Sequence, residues 1–424
     1  MKARIILSAI YLTISSASVF GQLSDENPDA EDIDDKDVRE NPVIDFGDYE
    51  TEVEIPSFIK LKANKIEYNG ADWSSLRQKL EHSSELPVNI VHIGDSHLQA
   101  DLATSVVREN LQFDYGNAGR GIITPLKMSG TNEPLDYAFT STNAWNAVKL
   151  MSSSWPRTMG FTGTSITPIS SSSNFLVSTS EKEDYNPFSA ITVFHKGQFY
   201  VTGVDDADGN HIPFLATPSK DYTEIVLTED VNAARIYFDS SADLTIFGAS
   251  LSGQRPGVFY HVIGNNGATY ATYNRIGNVG EGISVLKPAL VIISLGTNEA
   301  FGILDKKRFK ESISQLVENI RAANPEAKLL LVTPMECQRS QRTKSGKSYY
   351  ANQNVAVARD VILDFARHNH IAVYDWFNVA GGNKASEKWI ADGLFSRDRV
   401  HHSMKGYILQ GELLYMALRN ALKI

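Results

Sequence analysis

The sequence predicts an α/β protein, a doubly wound parallel sheet with an inserted all-β sandwich. Three observations predict it. Short continuous apolar runs at residues 88–93, 258–263, 288–295, 328–333 and 371–374 alternate with amphipathic helical patterns, which is how a parallel sheet covered on both faces reads. Between about residues 125 and 257 the pattern changes to short runs rich in β-branched and aromatic residues, separated by Gly, Asp, Asn and Pro turns. Such runs at close spacing are those of a sandwich. Finally, a chain of 424 residues, 42% hydrophobic and 10% aromatic, can bury a core of that size.

Taken in order, residues 1–21 read as a secretory signal. Lys2 and Arg4 precede an apolar run from Ile5 to Ile14, and small residues lead to a cleavage point before Gln22. The run is too short to span a bilayer, and no later stretch approaches the roughly 20 apolar residues of a membrane helix, so no stable membrane insertion is expected. Residues 22–56 are dense in Asp and Glu and read as a disordered acidic linker. The net charge of −10 excludes a general nucleic-acid binder, although much of it sits in this segment. Cys337 is the single cysteine, so no internal disulfide is possible, and the fold must be held by its core.

From Pro56 the texture is globular. A helix over residues 73–80 leads to the strand 88–93, which ends in Gly94-Asp95-Ser96, and an amphipathic stretch from His97 to Leu111 follows as one helix. Strands are expected within the insertion at residues 190–195, 198–203, 223–227, 235–238 and 244–247. Residues 306–323 carry Phe309, Ile313, Leu316, Val317 and Ile320 on one helical face and stop at Pro325; residues 352–368 and a last helix from about Ser403 behave alike. These assignments give an α/β domain over 57–125 and 257–424, and an insertion over 126–256. The basic run from Gln338 to Lys347 reads as a loop, either solvated and mobile or in contact with an anionic glycan.

Ser96 sits where a strand turns into a helix, a position whose free N–H groups favour negative charge developing on an acyl oxygen. A serine needs a base, and three further pieces each lie where a sheet gathers its chemistry: Gly264-Asn-Asn-Gly-Ala268 and Gly296-Thr-Asn-Glu299 directly after apolar strands, and Asp398-Arg-Val-His401 ahead of the last helix. His401 has the side chain that takes and returns a proton near neutrality, and an acid three residues earlier can hold its second nitrogen. Alone, each piece has a plainer reading: Gly-Asp-Ser as a helix cap, Asn298 as a cap, Gly267 as a tight turn, His401 as a surface residue with His402 as a rival. His97 and Glu299 read as hydrogen-bonding supports, and His92, His195 and His261 as core or sheet-face residues. No His-Glu-x-x-His pair or complete phosphate loop is present, and no metal or cofactor is expected.

These four blocks, in this order, resemble the signature blocks of the SGNH (GDSL-type) hydrolases over the whole α/β frame. The resemblance implies a flavodoxin-like sheet, Ser96 as nucleophile, His401 as general base and acid, and Asp398 as the group orienting the imidazole. It also implies an oxyanion hole from the Ser96 and Gly267 N–H groups and the Asn298 amide. The stretches Gly94-Asp-Ser-His-Leu-Gln-Ala-Asp101, Tyr115-Gly-Asn-Ala-Gly-Arg-Gly121, Gly264-Asn-Asn-Gly-Ala268 and Leu295-Gly-Thr-Asn-Glu-Ala-Phe301 are similar to the peptidoglycan O-acetylesterases of Gram-negative envelopes, which carry a carbohydrate-binding-module-like sandwich at the same point. That subgroup implies a periplasmic or extracellular enzyme cleaving the acetyl ester on the C6 hydroxyl of muramic acid, with O-acetylated glycan as its partner; no protein partner is defined. An esterase or acetyltransferase for xylan or an exopolysaccharide would need the same serine chemistry, and a non-catalytic glycan-binding protein would lack one of these residues. Trp145, Trp155 and Tyr185 are candidate sugar-stacking rings, as well as candidate core residues.

Overall fold

The computed structural model describes residues 54–180, 186–344 and 346–423. The segment read as a signal, the acidic linker up to residue 53 and Tyr185 lie outside the described residues.

One sheet has six strands in the order Ile66–Glu67, Ala372–Tyr374, Lys328–Val332, Leu290–Ser294, Val88–Gly94, Val258–Gly264, all parallel except the first. Numbered by the chain, the five parallel strands run 2-1-3-4-5, the flavodoxin-like winding. Alternate residues feed opposite cores. Ile90, Tyr260, Ile292 and Leu330 join one cluster with the helices Leu102–Tyr115 and Met404–Leu422. Val91, Ile293 and Leu331 join the other, against Lys306–Ala323 and Gln353–His368. This two-sided burial is why the strands read as continuous apolar runs. The helix Lys306–Ala323 begins at Asp305, whose carboxylate accepts from the Lys307 and Arg308 N–H groups, and buries Phe309, Ile313, Leu316, Val317 and Ile320.

Two further antiparallel sheets lie between Gly121 and Ser252. One joins Phe214–Pro218, Tyr222–Val231, Phe188–Lys196, Thr245–Ser252, Thr164–Pro168 and Trp145–Lys149, with Gly121–Ile123 also paired to Thr245–Ser252; the second joins Tyr137–Thr140, Ser172–Thr179, Ala233–Ser240 and Phe199–Asp205. Phe139, Phe175, Phe199 and Phe238 pack between them with Ile191, Val193, Ile225 and Ile246.

Two expectations are corrected. The helix expected from His97 to Leu111 is broken in two, Ser96–Gln99 and Leu102–Tyr115, at Asp101, whose φ of 57° is left-handed. Asp101 is held there by buried guanidinium groups, Arg108 at 2.7 Å and Arg120 at 2.6 Å. The basic run from Gln338 is a β-hairpin, Gln338–Thr343 with Gly346–Ala351. Its base is docked, because the Arg399 guanidinium stacks 3.8 Å from the Tyr349 ring centre and the Gln338 N–H donates to the Arg399 carbonyl.

Candidate active site

The winding of the sheet decides where chemistry gathers. Strands 88–94 and 290–294 are neighbours whose connections leave in opposite directions, which opens a crevice at their carboxyl ends. Ser96 follows the first and Asn298 the second. Gly264, at the end of the adjacent strand, allows the nucleophile helix to lie against the sheet: a Cβ there would sit 2.3 Å from the Gln99 backbone nitrogen. At Asp95 the carboxylate caps that helix by accepting from the His97 N–H at 3.0 Å.

The loop before the last helix brings in the base. His401 Nε2 lies 2.7 Å from the Ser96 hydroxyl, and His401 Nδ1 lies 2.6 Å from Asp398 Oδ2. With Nδ1–H donating to the carboxylate, Nε2 carries the lone pair that accepts the serine proton. Asp398 is fixed in turn by the Ser396 hydroxyl at 2.7 Å and the N–H groups of Val400 and His401 at 2.8 and 2.9 Å. Burial by itself would raise its pKa, but His401, through its hydrogen bond and charge, with Ser396 and Val400, holds the carboxyl well below the usual range. It therefore stays ionised opposite the imidazole.

His402 does not compete for this place. Its ring is buried against Trp389, Phe395 and Tyr407, with centroids at 4.9, 5.1 and 5.0 Å, and burial lowers its pKa to about 3. His97 lies 5.2 Å from the His401 ring, meets the Tyr407 hydroxyl at 3.2 Å, and is pushed well below its ordinary pKa, chiefly by burial and then by its histidine neighbours. Both are thus neutral walls that add no competing charge beside His401. Of the other histidines, His92 bridges Tyr260 and Ser294, His261 meets the Ile122 N–H and Asn89, and His195 meets Thr223; all three are buried.

Donors for an oxyanion are positioned on the same side. Asn298 Nδ2 donates to the Ala268 carbonyl at 3.0 Å, which fixes the amide, while its other neighbour, Asp95 Oδ2, is a long 3.4 Å away. Gly267 has a φ of +76°, and no hydrogen bond from its N–H occurs among the described residues. Such fixed donors, with the N-terminus of the helix Ser96–Gln99, can stabilise charge that develops on an acyl oxygen. Asp95 and Glu299 lie behind them, and burial raises these carboxyls to about 6 and about 7. Glu299 Oε1 accepts from the Tyr270 N–H at 2.8 Å.

Sequence reasoning gave no role to the residue that ties these pieces together. Gln99 Oε1 accepts from the Asn266 N–H at 2.7 Å, and its amide donates to Asn132 Oδ1 at 2.7 Å and Thr131 Oγ1 at 2.9 Å. One side chain thus connects the nucleophile helix, the glycine loop and the start of the inserted β region. Its position three residues after Ser96 was the available signal; nothing in the sequence marks Thr131 or Asn132. Trp145 packs against Phe238 at 5.9 Å and Trp155 lies under the Arg275 guanidinium at 4.4 Å, so neither ring stands free.

Residues 229–409 match the GDSL-like lipase/acylhydrolase family, a segment that holds Gly267, Asn298, Asp398 and His401 but not Ser96. No curated protein matches the chain. Among solved structures it resembles a peptidoglycan O-acetylesterase at 20% identity, over 84% of this chain and 99% of that one, with a TM-score of 0.69. Weaker likenesses are to a lipase/acylhydrolase from Enterococcus faecalis (18% identity, 39% and 77% covered, TM-score 0.30) and an active-site mutant of a family two carbohydrate esterase from Clostridium thermocellum (13%, 66% and 99%, 0.30). The family match thus covers residues 229–409, and over most of its length the chain shares the fold of that solved esterase.

Proposed function

We propose that the protein is an exported O-acetylesterase that removes acetyl groups from a glycan, the C6 acetyl ester of muramic acid in peptidoglycan being the substrate. The observation that carries the chemistry is the continuous chain Ser96 Oγ, His401 Nε2, His401 Nδ1, Asp398 Oδ2, with links of 2.7 and 2.6 Å. Ser96 Oγ attacks the acetyl carbonyl as His401 takes its proton. The carbonyl oxygen becomes negative against the N–H groups of Ser96 and Gly267 and the Asn298 amide. Collapse expels the sugar oxygen, which receives the proton from His401, and leaves acetyl-Ser96. Water then repeats the sequence, with His401 again as base, and releases acetate. Asp398 keeps the imidazole in the required tautomer throughout.

The choice of substrate is supported by the likeness to a peptidoglycan O-acetylesterase that extends through nearly the whole of that protein, and by the blocks around Ser96 and Gly267 that resemble that group. Export is supported by the basic start, apolar run and small-residue exit of residues 1–21.

The test is acetate release from O-acetylated peptidoglycan and, in parallel, from acetylated xylan, by the mature chain and by Ser96→Ala. Serine-dependent release from peptidoglycan alone is the expected result. Serine-dependent release from xylan alone would retain the mechanism and overturn the substrate.

A further inference from the structure

Beside the Gly267 α-carbon the inserted β region places one side chain, Met151. A Cβ placed on Gly267 would meet Met151 Cε at 3.5 Å and Met151 Cγ at 3.6 Å, and no atom of any other residue comes as near. Met151 lies between the strands Trp145–Lys149 and Thr164–Pro168, so it belongs to the insertion and not to the α/β frame. It is 45% exposed, so its thioether is open to a molecule arriving beside Gly267.

Its backbone is pinned where it stands. Arg275, which ends the helix after the oxyanion loop, donates to the carbonyls of Leu150 at 3.3 Å, Ser152 at 2.9 Å and Ser153 at 3.2 Å, and its guanidinium lies over Trp155 at 4.4 Å. The Leu150 N–H donates to the Gly163 carbonyl at 2.8 Å, and Asn265, two residues before Gly267, donates to the Thr162 carbonyl at 3.0 Å. Both ends of the segment 150–163 are therefore tied to the helix and loop that carry Gly267. Met151 keeps its place beside the glycine whatever the rest of its loop does.

We propose that Met151 is the wall of the acyl pocket and sets the size of acyl group that the enzyme accepts. An acyl carbon attacked by Ser96, with its oxygen on the Gly267 N–H, is held within a few bond lengths of the Gly267 α-carbon. The Met151 thioether fills the space beside that α-carbon. A methyl group needs no room there; a longer chain must displace the thioether or leave the oxyanion donors. The inserted region thereby acts on the acyl side of the ester, apart from any contact it makes with the alcohol side. This inference rests on the Ser96 reading and gives it a substrate class, short acyl esters, whichever alcohol carries them.

The test uses the whole protein and soluble 4-nitrophenyl esters of acetate, butyrate and hexanoate, so that it is independent of the glycan. The quantity read is the ratio of kcat/KM for butyrate to that for acetate. Met151→Ala is expected to raise this ratio roughly tenfold, the usual discrimination by pocket volume, and Met151→Phe to lower it. A ratio that moves in neither variant, while Ser96→Ala still abolishes hydrolysis, overturns the role of Met151 and leaves the serine mechanism standing. Hydrolysis of all three esters that survives Ser96→Ala would instead overturn the serine reading, and with it the proposal. Because Met151 is half exposed, neither substitution opens a core cavity, and circular dichroism of each variant checks this.

Discussion

Asp95 illustrates how much of a site is decided one residue away from its chemistry. It precedes the nucleophile, caps its helix and is fully buried beside the Asn298 amide, and burial raises its pKa from 3.8 to about 6. A carboxyl with a pKa raised in the folded state favours folding below its unfolded pKa, and this advantage is lost as pH rises through the folded value. Two units correspond to about 3 kcal/mol. Asp95→Asn keeps the capping oxygen and removes the titration, so the Tm of the variant relative to the parent should rise between about pH 4 and pH 7. A difference in Tm that stays flat over that window would mean that Asp95 is not strained by its burial. Ser96, Asp398 and His401 were legible in the sequence because each lies in a short block with its own physical reason. The packing of the His402 ring against Trp389 and Phe395, which takes the rival histidine out of the site, was not legible.

Among the elements, the short helix Ser96–Gln99 carries the nucleophile at one end and the brace of the oxyanion loop at the other. Gln99→Ala leaves every group of the Ser96–His401–Asp398 chain in place but removes the acceptor of the Asn266 N–H beside Gly267, leaving Asn266 tied only through its side chain to Thr131 and Asn132. Kcat should fall by about one to two orders of magnitude with little change in KM, the signature of a group that positions donors used in the transition state. A fall carried by KM alone would place Gln99 in substrate binding instead. Elements were legible to different degrees for physical reasons. Lys306–Ala323 could be read to the residue because its cap, its apolar period and Pro325 agree. The break at Asp101 was hidden because what holds it, Arg120, lies beyond the following helix. The hairpin Gln338–Ala351 was read as a loop because its residues carry charge and hydroxyls with no apolar face; Arg399 and Tyr349, far apart in the chain, supply the stack that orders it.

Across the whole molecule, the α/β frame and the insertion meet in a buried ionic group. Arg108 and Arg120, both almost fully buried, bind Asp101 at the helix break and Asp136 at the start of the insertion at 2.6 to 2.9 Å. Removing one member leaves two carboxylates facing a single guanidinium. Arg120→Met should therefore cost about 3–5 kcal/mol in urea denaturation. A loss under about 1 kcal/mol would show that the group is energetically replaceable by packing. The two-part architecture was legible from the change of texture near residues 125 and 257. Its consequence for the site was not, since Met151, Thr131 and Asn132 follow no pattern that marks them.

Ser96 and His401 are 305 residues apart in the chain, and almost everything between them must fold before they meet. The helix Met404–Leu422, just after the histidine, packs on Leu102–Tyr115, the helix just after the serine. A growing chain would thus possess its nucleophile 305 residues before its base. Truncation of the final helix would strip the loop of Asp398 and His401 of its support. The Ser96–His401 contact thus reports long-range folding, and a chain halted before His401 holds the serine without its base.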